Sequence, residues 1–431
     1  VNQIRSPKGV QIRSPRGVRD ILPAETARWR RFEEDFSACC EQAGYGELRS
    51  PMFEELEVFL RLGEETEVVS KEMYDFLDKD GRHMALRPEM TASAARAFIQ
   101  HSPVLPWKIY YYGPQFRSER PQAGRYRQFS QAGIEVFGVS DPYLDVEVIA
   151  LGWQFLGSLG LKQLTLQVNS LGDAASRNNY SEQLGRYLAQ RAGELSEASQ
   201  ETAQVNPLRV LDSKRDQDQA VIAGAPSCLD FLEVSAAAHF EVVCNGLEKL
   251  RIPYQVNPRL VRGLDYYTHT AFEYVSQALK SAQNALGGGG HYDGLVEALG
   301  GKSVPGVGFA LGVDRIFLAC DSEQVFISEQ SPVEIFVVDI VGGGEALSLT
   351  QQLREAGISC DRAWESRSLK AQMKIADRSG AKFALIIGSN EQAANVVALK
   401  DLRSGDVPQE DIPRDEIVLT LKDRLAMEIS N

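Results

Sequence analysis

Nothing in these 431 residues approaches the roughly 18 consecutive apolar positions that a membrane helix needs, and the opening residues hold no apolar segment of signal-peptide type. The expectation is a cytoplasmic protein without membrane contact. Cysteine is scarce: the six thiols, Cys39, Cys40, Cys228, Cys244, Cys320 and Cys360, form no Cys-x-x-Cys pair and no metal spacing, which predicts reduced thiols rather than a disulfide framework. The five histidines are scattered, none at the i, i+4 spacing of a helical metal site, so no protein-ligated metal is expected. Net positive charge is also lacking. A formal charge of −13 argues against bulk non-specific nucleic-acid binding, but leaves room for a local basic surface. Two glycine-rich stretches lack what would make them nucleotide signatures. "GGGGHYDG" at 287–294 has no Gly-Lys-Ser/Thr ending, which excludes a Walker-type loop. "GVGFALGVDR" at 306–315 misses the dinucleotide fingerprint by one residue and has no acidic partner in a βαβ context. What remains is close backbone approach, with Arg315 at a helix start.

Against that background one stretch stands out. "FRSERPQAGRYRQF", residues 116–129, gathers Arg117, Arg120, Arg125 and Arg127 around Glu119 and a glycine turn. It uses only arginine, the side chain suited to two-pronged recognition of phosphate and carboxylate. The flanks, 107–117 and 127–138, are aromatic and β-branched enough for strands, so the arginines fall in a long hairpin loop. Read with period two, the second strand places Phe129, Gln131, Gly133 and Glu135 on one face and Ser130, Ala132, Ile134 and Val136 on the other. The second set suits a packed core. The first, polar yet carrying an aromatic and a glycine, suits the wall of a pocket.

The rest of the chain divides by pattern. A tandem octamer, "QIRSPKGV" then "QIRSPRGV", opens it, and residues 1–15 read as a flexible basic tail. Trp29, Phe32, Phe36 and Cys40 recur at helical spacing over 24–43, and a short strand ends at Pro51. Residues 174–250 are Gln- and Ala-rich and read as a helical insertion; 320–334 reads as an exposed linker. Beyond it, "EIFVVDIV", "ISCDRAW" and "KFALIIGS" alternate with helices, which predicts a small open α/β domain over 333–431. In it Arg367, Lys370, Lys374 and Arg378 stand at i, i+3, i+7 and i+11, one helix face.

Taken in order, these segments are specific. From about Arg16 to the end the chain resembles the class II aminoacyl-tRNA synthetases, and within them the histidyl-tRNA synthetases. "RGVRDILP" with the helix and strand ending at Pro51 resembles the opening segment and motif 1, "FRSERPQAGRYRQF" resembles motif 2, and "PGVGFALGVDR" resembles motif 3. "LRPEMT", "LVRGLDYYTH" and "GGGGHYDGLVEALGG" are similar to segments of the histidine-specific members. Met90, His291 and Asp314 depart from residues common there, and the first octamer copy has no counterpart.

The resemblance implies an α+β fold: an antiparallel catalytic sheet flanked by helices over 16–325, with the insertion, followed by an α/β anticodon-binding domain. It implies a homodimer that joins L-histidine to tRNA(His) at the expense of ATP with Mg²⁺. Arg117 and Arg262 would meet the α-phosphate and Arg315 the far side of the nucleotide, with Phe129 stacked on adenine beside Glu119. Glu89, Thr91 and Gln131 would hold the α-amino group of histidine. Glu135 and Tyr267 would take its two ring nitrogens, with Tyr266 either contacting the ligand or packing. Arg120, Gln122 and Arg125, with the cationic face at 367–378, would meet tRNA. The competing expectation is a synthetase-like histidine-sensing subunit of ATP phosphoribosyltransferase, which has no need of the ATP arginines or of the last domain.

Overall fold

The computed structural model describes residues 12–61, 68–261, 266–279, 284–327, 333–365, 367–403 and 408–429. Arg262 lies outside the described residues. The chain divides into two compact units between residues 327 and 328.

The first unit is built on an eight-stranded sheet: β1 (Gly46–Glu47), β2 (Trp107–Phe116), β3 (Gln128–Phe137), β4 (Leu164–Ser170), β5 (Tyr254–Val256), β6 (Thr268–Ser276), β7 (Ala285–Tyr292) and β8 (Gly306–Gly312). Their order is β1-β2-β3-β8-β7-β6-β4-β5. The six central strands are antiparallel; β1 and β5 add parallel at the edges. β2 and β3 pair from Trp107 opposite Phe137 to Phe116 opposite Gln128, so the arginine-rich stretch is the hairpin loop its flanks predict.

Period two holds along β3. Ala132, Ile134 and Val136 are fully buried on the face covered by helices α1 (Pro23–Gln42), α3 (Pro142–Ser158), α4 (Val234–Lys249) and α5 (Val313–Glu323). Phe32 and Phe36 of α1 reach into that core and meet Phe155 edge-on at 5.1 and 5.0 Å. Each such burial contributes about 1.5–3 kcal/mol. The opposite face of the sheet carries helix α2 (Thr91–His101), a three-stranded sheet of Phe53–Glu55, His83–Leu86 and Tyr74–Leu77, and the cleft.

Two pattern readings need correction. The shift at 320–334 is not linker from its start: α5 runs to Glu323, Cys320 is fully buried, and Val325 and Phe326 still pack on the core. The polar run Asp321–Glu323 is only the solvent side of an amphipathic helix whose other side is Ile316, Phe317 and Cys320. Nor is 174–250 one body. Its earlier helices gather a small core of Tyr180, Leu184, Leu188 and Val221, whereas α4 packs Val243 and Leu247 into the main core. Gly246 permits this, since a Cβ there would meet Val146 at 2.6 Å.

The second unit has β9 (Ile335–Asp339), β10 (Cys360–Arg362), β11 (Phe383–Ile387), β12 (Val396–Asp401) and β13 (Glu410–Pro413), in the order β10-β9-β11-β12-β13. The first three strands are parallel, as the alternation predicts, and the last two add an antiparallel hairpin that it does not. Helix α6 begins at Leu369, so Arg367 stands before it, paired with Glu365 at 2.8 Å; Lys370, Lys374 and Arg378 are exposed along it.

Candidate active site

The cleft, about 970 Å³ with its open mouth, lies over β3, β6, β7 and β8 on the sheet face away from the four helices. Its two ends differ in chemistry.

One end is cationic and aromatic. Arg117, just after β2, donates from Nε to the Pro88 carbonyl at 2.9 Å, and its guanidinium lies 5.3 Å from the centre of the Phe129 ring. Arg315, in the first turn of α5, donates from Nη1 to the Ala285 carbonyl at 3.0 Å and from Nε to that of Gly124 at 3.3 Å. Burial, with Arg125 nearby, lowers its pKa. Both arginines are thus held through backbone carbonyls, which fix direction without cancelling charge.

The rest of the cluster separates. Glu119 pairs with Arg125 at 3.0 Å, and both line the cleft. Arg120 and Gln122 are exposed at the loop tip, where Gln122 and Arg125 exchange backbone hydrogen bonds. Arg127 turns away: it donates from Nε to the Glu119 carbonyl at 3.2 Å and from its backbone amide to Gly17 at 2.7 Å. The second octamer copy therefore ends docked against the loop. Arg19 reinforces that dock through Asp314 at 3.5 Å and the Tyr126 ring at 5.3 Å.

The other end is acidic and hydroxylic. Glu89 lines the cleft while its two oxygens accept from the amides of Thr91, at 2.7 Å, and Ala92, at 2.9 Å, at the start of α2. Burial raises its pKa despite those bonds. Gln131 also lines the cleft, and its Oε1 is buried without a hydrogen-bond partner among the described residues. Tyr266 and Tyr267 pack with ring centres 4.6 Å apart, tilted by 37°, and form the far wall.

Glu135 stands behind this wall, 1% exposed. Its carboxylate accepts from the hydroxyls of Thr91 at 2.7 Å, Tyr111 at 3.3 Å and Tyr292. Burial raises its pKa to about 8, against the pull of those donors. Gly308 keeps the space: a Cβ there would fall 1.9 Å from Glu135 Oε2.

Sequence reasoning missed Tyr111, Tyr292 and Glu273. Tyr111 lies opposite Gly133 on the pocket face, so the period-two argument applied to β2 finds it. Tyr292 and Glu273 carry no such local signal. The histidines add a cluster that sequence spacing does not show. Scattered in sequence, three of them meet in space: His239 Nε2 lies 2.7 Å and His291 Nδ1 2.9 Å from Asp145, with His269 stacked on His239 at 4.8 Å.

The family pattern "Histidyl-tRNA synthetase" matches residues 17–316, and "Anticodon binding domain" matches 334–424. Histidine–tRNA ligase of Bacillus velezensis is 45% identical over 424 residues, 96% of this chain and 98% of that protein. The same enzyme of Corynebacterium kroppenstedtii is 46% identical, covering 98% and 97%. The crystal structure of apo Staphylococcus aureus histidyl-tRNA synthetase superposes with a TM-score of 0.80 at 37% identity, over 95% of this chain and 99% of that one. An ATP phosphoribosyltransferase regulatory subunit/histidyl-tRNA synthetase from Bacillus halodurans shares the fold, with a TM-score of 0.64 at 19% identity over 86% and 97%. The catalytic sheet with its arginine-bearing hairpin is that of a class II aminoacyl-tRNA synthetase. More narrowly, the chain belongs to the histidyl-tRNA synthetase family.

Proposed function

We infer that the chain is a histidine–tRNA ligase whose cleft activates L-histidine with ATP and passes it to tRNA(His). The observation that carries this reading is the polarity of the cleft: two carbonyl-braced arginines and Phe129 at one end, unpaired and acidic acceptors with tyrosines at the other.

The histidine carboxylate attacks the α-phosphorus; the bond to the β-phosphate bridging oxygen breaks and pyrophosphate leaves. Arg117 and Arg315 stabilise the negative charge that builds up, and Phe129 stacks on adenine. Arg262 would join Arg117 at the α-phosphate. Glu119 and Glu273, both on the cleft wall, suit an oxygen-preferring Mg²⁺, which neutralises phosphate charge when it arrives with ATP. The α-ammonium group brings donors only, and Glu89, the Thr91 oxygen and Gln131 Oε1 offer acceptors. Glu135 and Tyr267 take the imidazole nitrogens, with Tyr266 packed behind. The 3′-terminal ribose hydroxyl of tRNA then attacks the adenylate carbonyl and AMP leaves. Arg120, Gln122 and Arg125 meet the acceptor end, and Arg367, Lys370, Lys374 and Arg378 the RNA backbone near the anticodon.

A homodimer fits the motif 1 resemblance, and a place in the cytoplasm fits a protein that charges tRNA; among the described residues no helix is long and apolar enough to cross a membrane. The alternative, a histidine-sensing regulatory subunit of ATP phosphoribosyltransferase, has no use for Arg117, Arg315 or the anticodon-binding unit. Histidine-dependent ATP–pyrophosphate exchange followed by tRNA charging separates the two: a ligase performs both, a sensor neither.

A further inference from the structure

His291, next to last in β7, has both ring nitrogens on carboxylates: Nδ1 lies 2.9 Å from Asp145 Oδ1 and Nε2 2.9 Å from Asp293 Oδ1. An imidazole so placed donates twice, which only the cation can do. Asp145, His239 and His291 bring ligand-type atoms within 4.8 Å of one another, a grouping that resembles a metal site. With both His291 nitrogens donating, however, no lone pair of that ring faces an ion. The cluster holds a proton.

The surroundings give that proton a task. Asp145, on α3, is fully buried and also accepts from His239 on α4 and from the Thr270 hydroxyl on β6 at 2.5 Å. One carboxylate therefore ties two helices to β6, and through His291 to β7. At that point the β6–β7 register is irregular: Gly290 pairs with Ala271 but His291 with Thr268. The residues on either side of His291 back the amino-acid end of the cleft. A Cβ on Gly290 would meet the Tyr267 ring at 2.8 Å, and the Tyr292 hydroxyl donates to Glu135.

We propose that His291 is a positioning residue for histidine binding: its doubly anchored cation fixes the irregular β6–β7 pairing, with His269 and Thr270 the extra residues on β6, that sets Tyr267 and Tyr292. The proposal rests on the reading of Tyr267 and Glu135 as the imidazole site. Four charged or titratable groups face the ring: Asp145, Asp293, His239 and His269. Burial alone would lower the His291 pKa, but Asp145 and Asp293 outweigh it and raise it to about 9. Burial, then His239 and His291, lower that of His269, so it adds no second cation at neutral pH. Burial alone would raise Asp145, but the bonds from His239 and His291 prevail and hold it at about 2. The arrangement is intact below about pH 9 and fails as His291 loses its proton, leaving Asp145 buried without a counter-ion.

The test is the Michaelis constants for histidine and ATP in pyrophosphate exchange, from about pH 7 to about pH 10, for the wild type, His291→Arg and His291→Gln. A pH dependence shared by all proteins belongs to the substrate's own amino group and to Glu135, which titrates at about 8. Beyond that, the wild-type constant for histidine should climb above about pH 9, and His291→Arg, whose guanidinium does not titrate, should lack this extra limb. His291→Gln should raise the histidine constant about ten-fold or more at neutral pH, with that for ATP within about two-fold. Superimposed profiles of wild type and His291→Arg would overturn the proposal. Ring ¹⁵N shifts of His291 give a check that needs no variant: imidazolium at neutral pH supports it, a neutral tautomer sinks it. If Glu135→Gln leaves histidine binding intact, the pocket reading fails instead, whatever His291 does.

Discussion

Thr91 donates its hydroxyl to Glu135 at 2.7 Å, joining the first residue of α2 to the centre of β3 beneath the amino-acid end of the cleft. The bond keeps the Glu135 carboxyl group in place, beside the hydroxyls of Tyr111 and Tyr292. Glu135→Gln should therefore raise the Michaelis constant for histidine about ten- to a few-hundred-fold, with little change for ATP. Pyrophosphate exchange with each substrate varied in turn measures both. A fall in ATP affinity alone would move Glu135 to the nucleotide.

The same residue predicts a stability effect of defined sign. Its folded-state pKa, about 8, lies above that of an unfolded glutamate, so the native state binds the extra proton and loses stability as pH rises toward 8. Glu135→Gln removes that loss. Its melting temperature should exceed that of the wild type by more at pH 8 than at pH 5, by about a few degrees. Equal gaps at both values would contradict burial as the cause.

Arg117→Ala or Arg315→Ala should abolish histidine-dependent exchange in a protein that still melts cooperatively. Each loses a fixed cation at developing phosphate charge, about 10²–10³ in kcat for a single such group. Near-normal exchange in either folded variant would remove it from the ATP site.

Gly17 adopts φ +88°, and a Cβ there would meet Pro121 at 2.7 Å and Arg127 at 2.9 Å. Gly17→Val should lift the arginine-bearing loop and cost about ten-fold in kcat/KM for ATP, while histidine affinity holds. An unchanged ATP constant would mean that the docked N-terminal segment does not position the loop.

Replacing Lys370, Lys374 and Arg378 together by alanine should raise the Michaelis constant for tRNA and leave exchange untouched. The salt dependence of tRNA binding should flatten by about two log units per log unit of salt, roughly 0.7 for each lost phosphate contact. An unaltered slope would place the RNA elsewhere.

Much of this was legible in the chain. The alternation of β3 separates Ile134 from Glu135 with no knowledge of the fold, because a strand permits only two faces. The motif order supplied the family. Tyr292 and Asp145 were not legible: they reach Glu135 and His291 across strands and helices far apart in sequence, and only the assembled sheet and its helices bring them together. The histidine cluster escaped for the same reason, since its members come from α4, β6 and β7 and spacing rules compare neighbours on one element. The helix end at Glu323 misled in another way, as solvent-facing polar residues look alike in a helix and a linker.

The measurement closest to the central claim is ATP–pyrophosphate exchange by the purified full chain with each of the twenty amino acids in turn. Histidine alone should support exchange at saturation, because a pocket built on buried polar partners rejects side chains that leave them unpaired. Folded protein that exchanges with no amino acid, or faster with another than with histidine, would contradict the account.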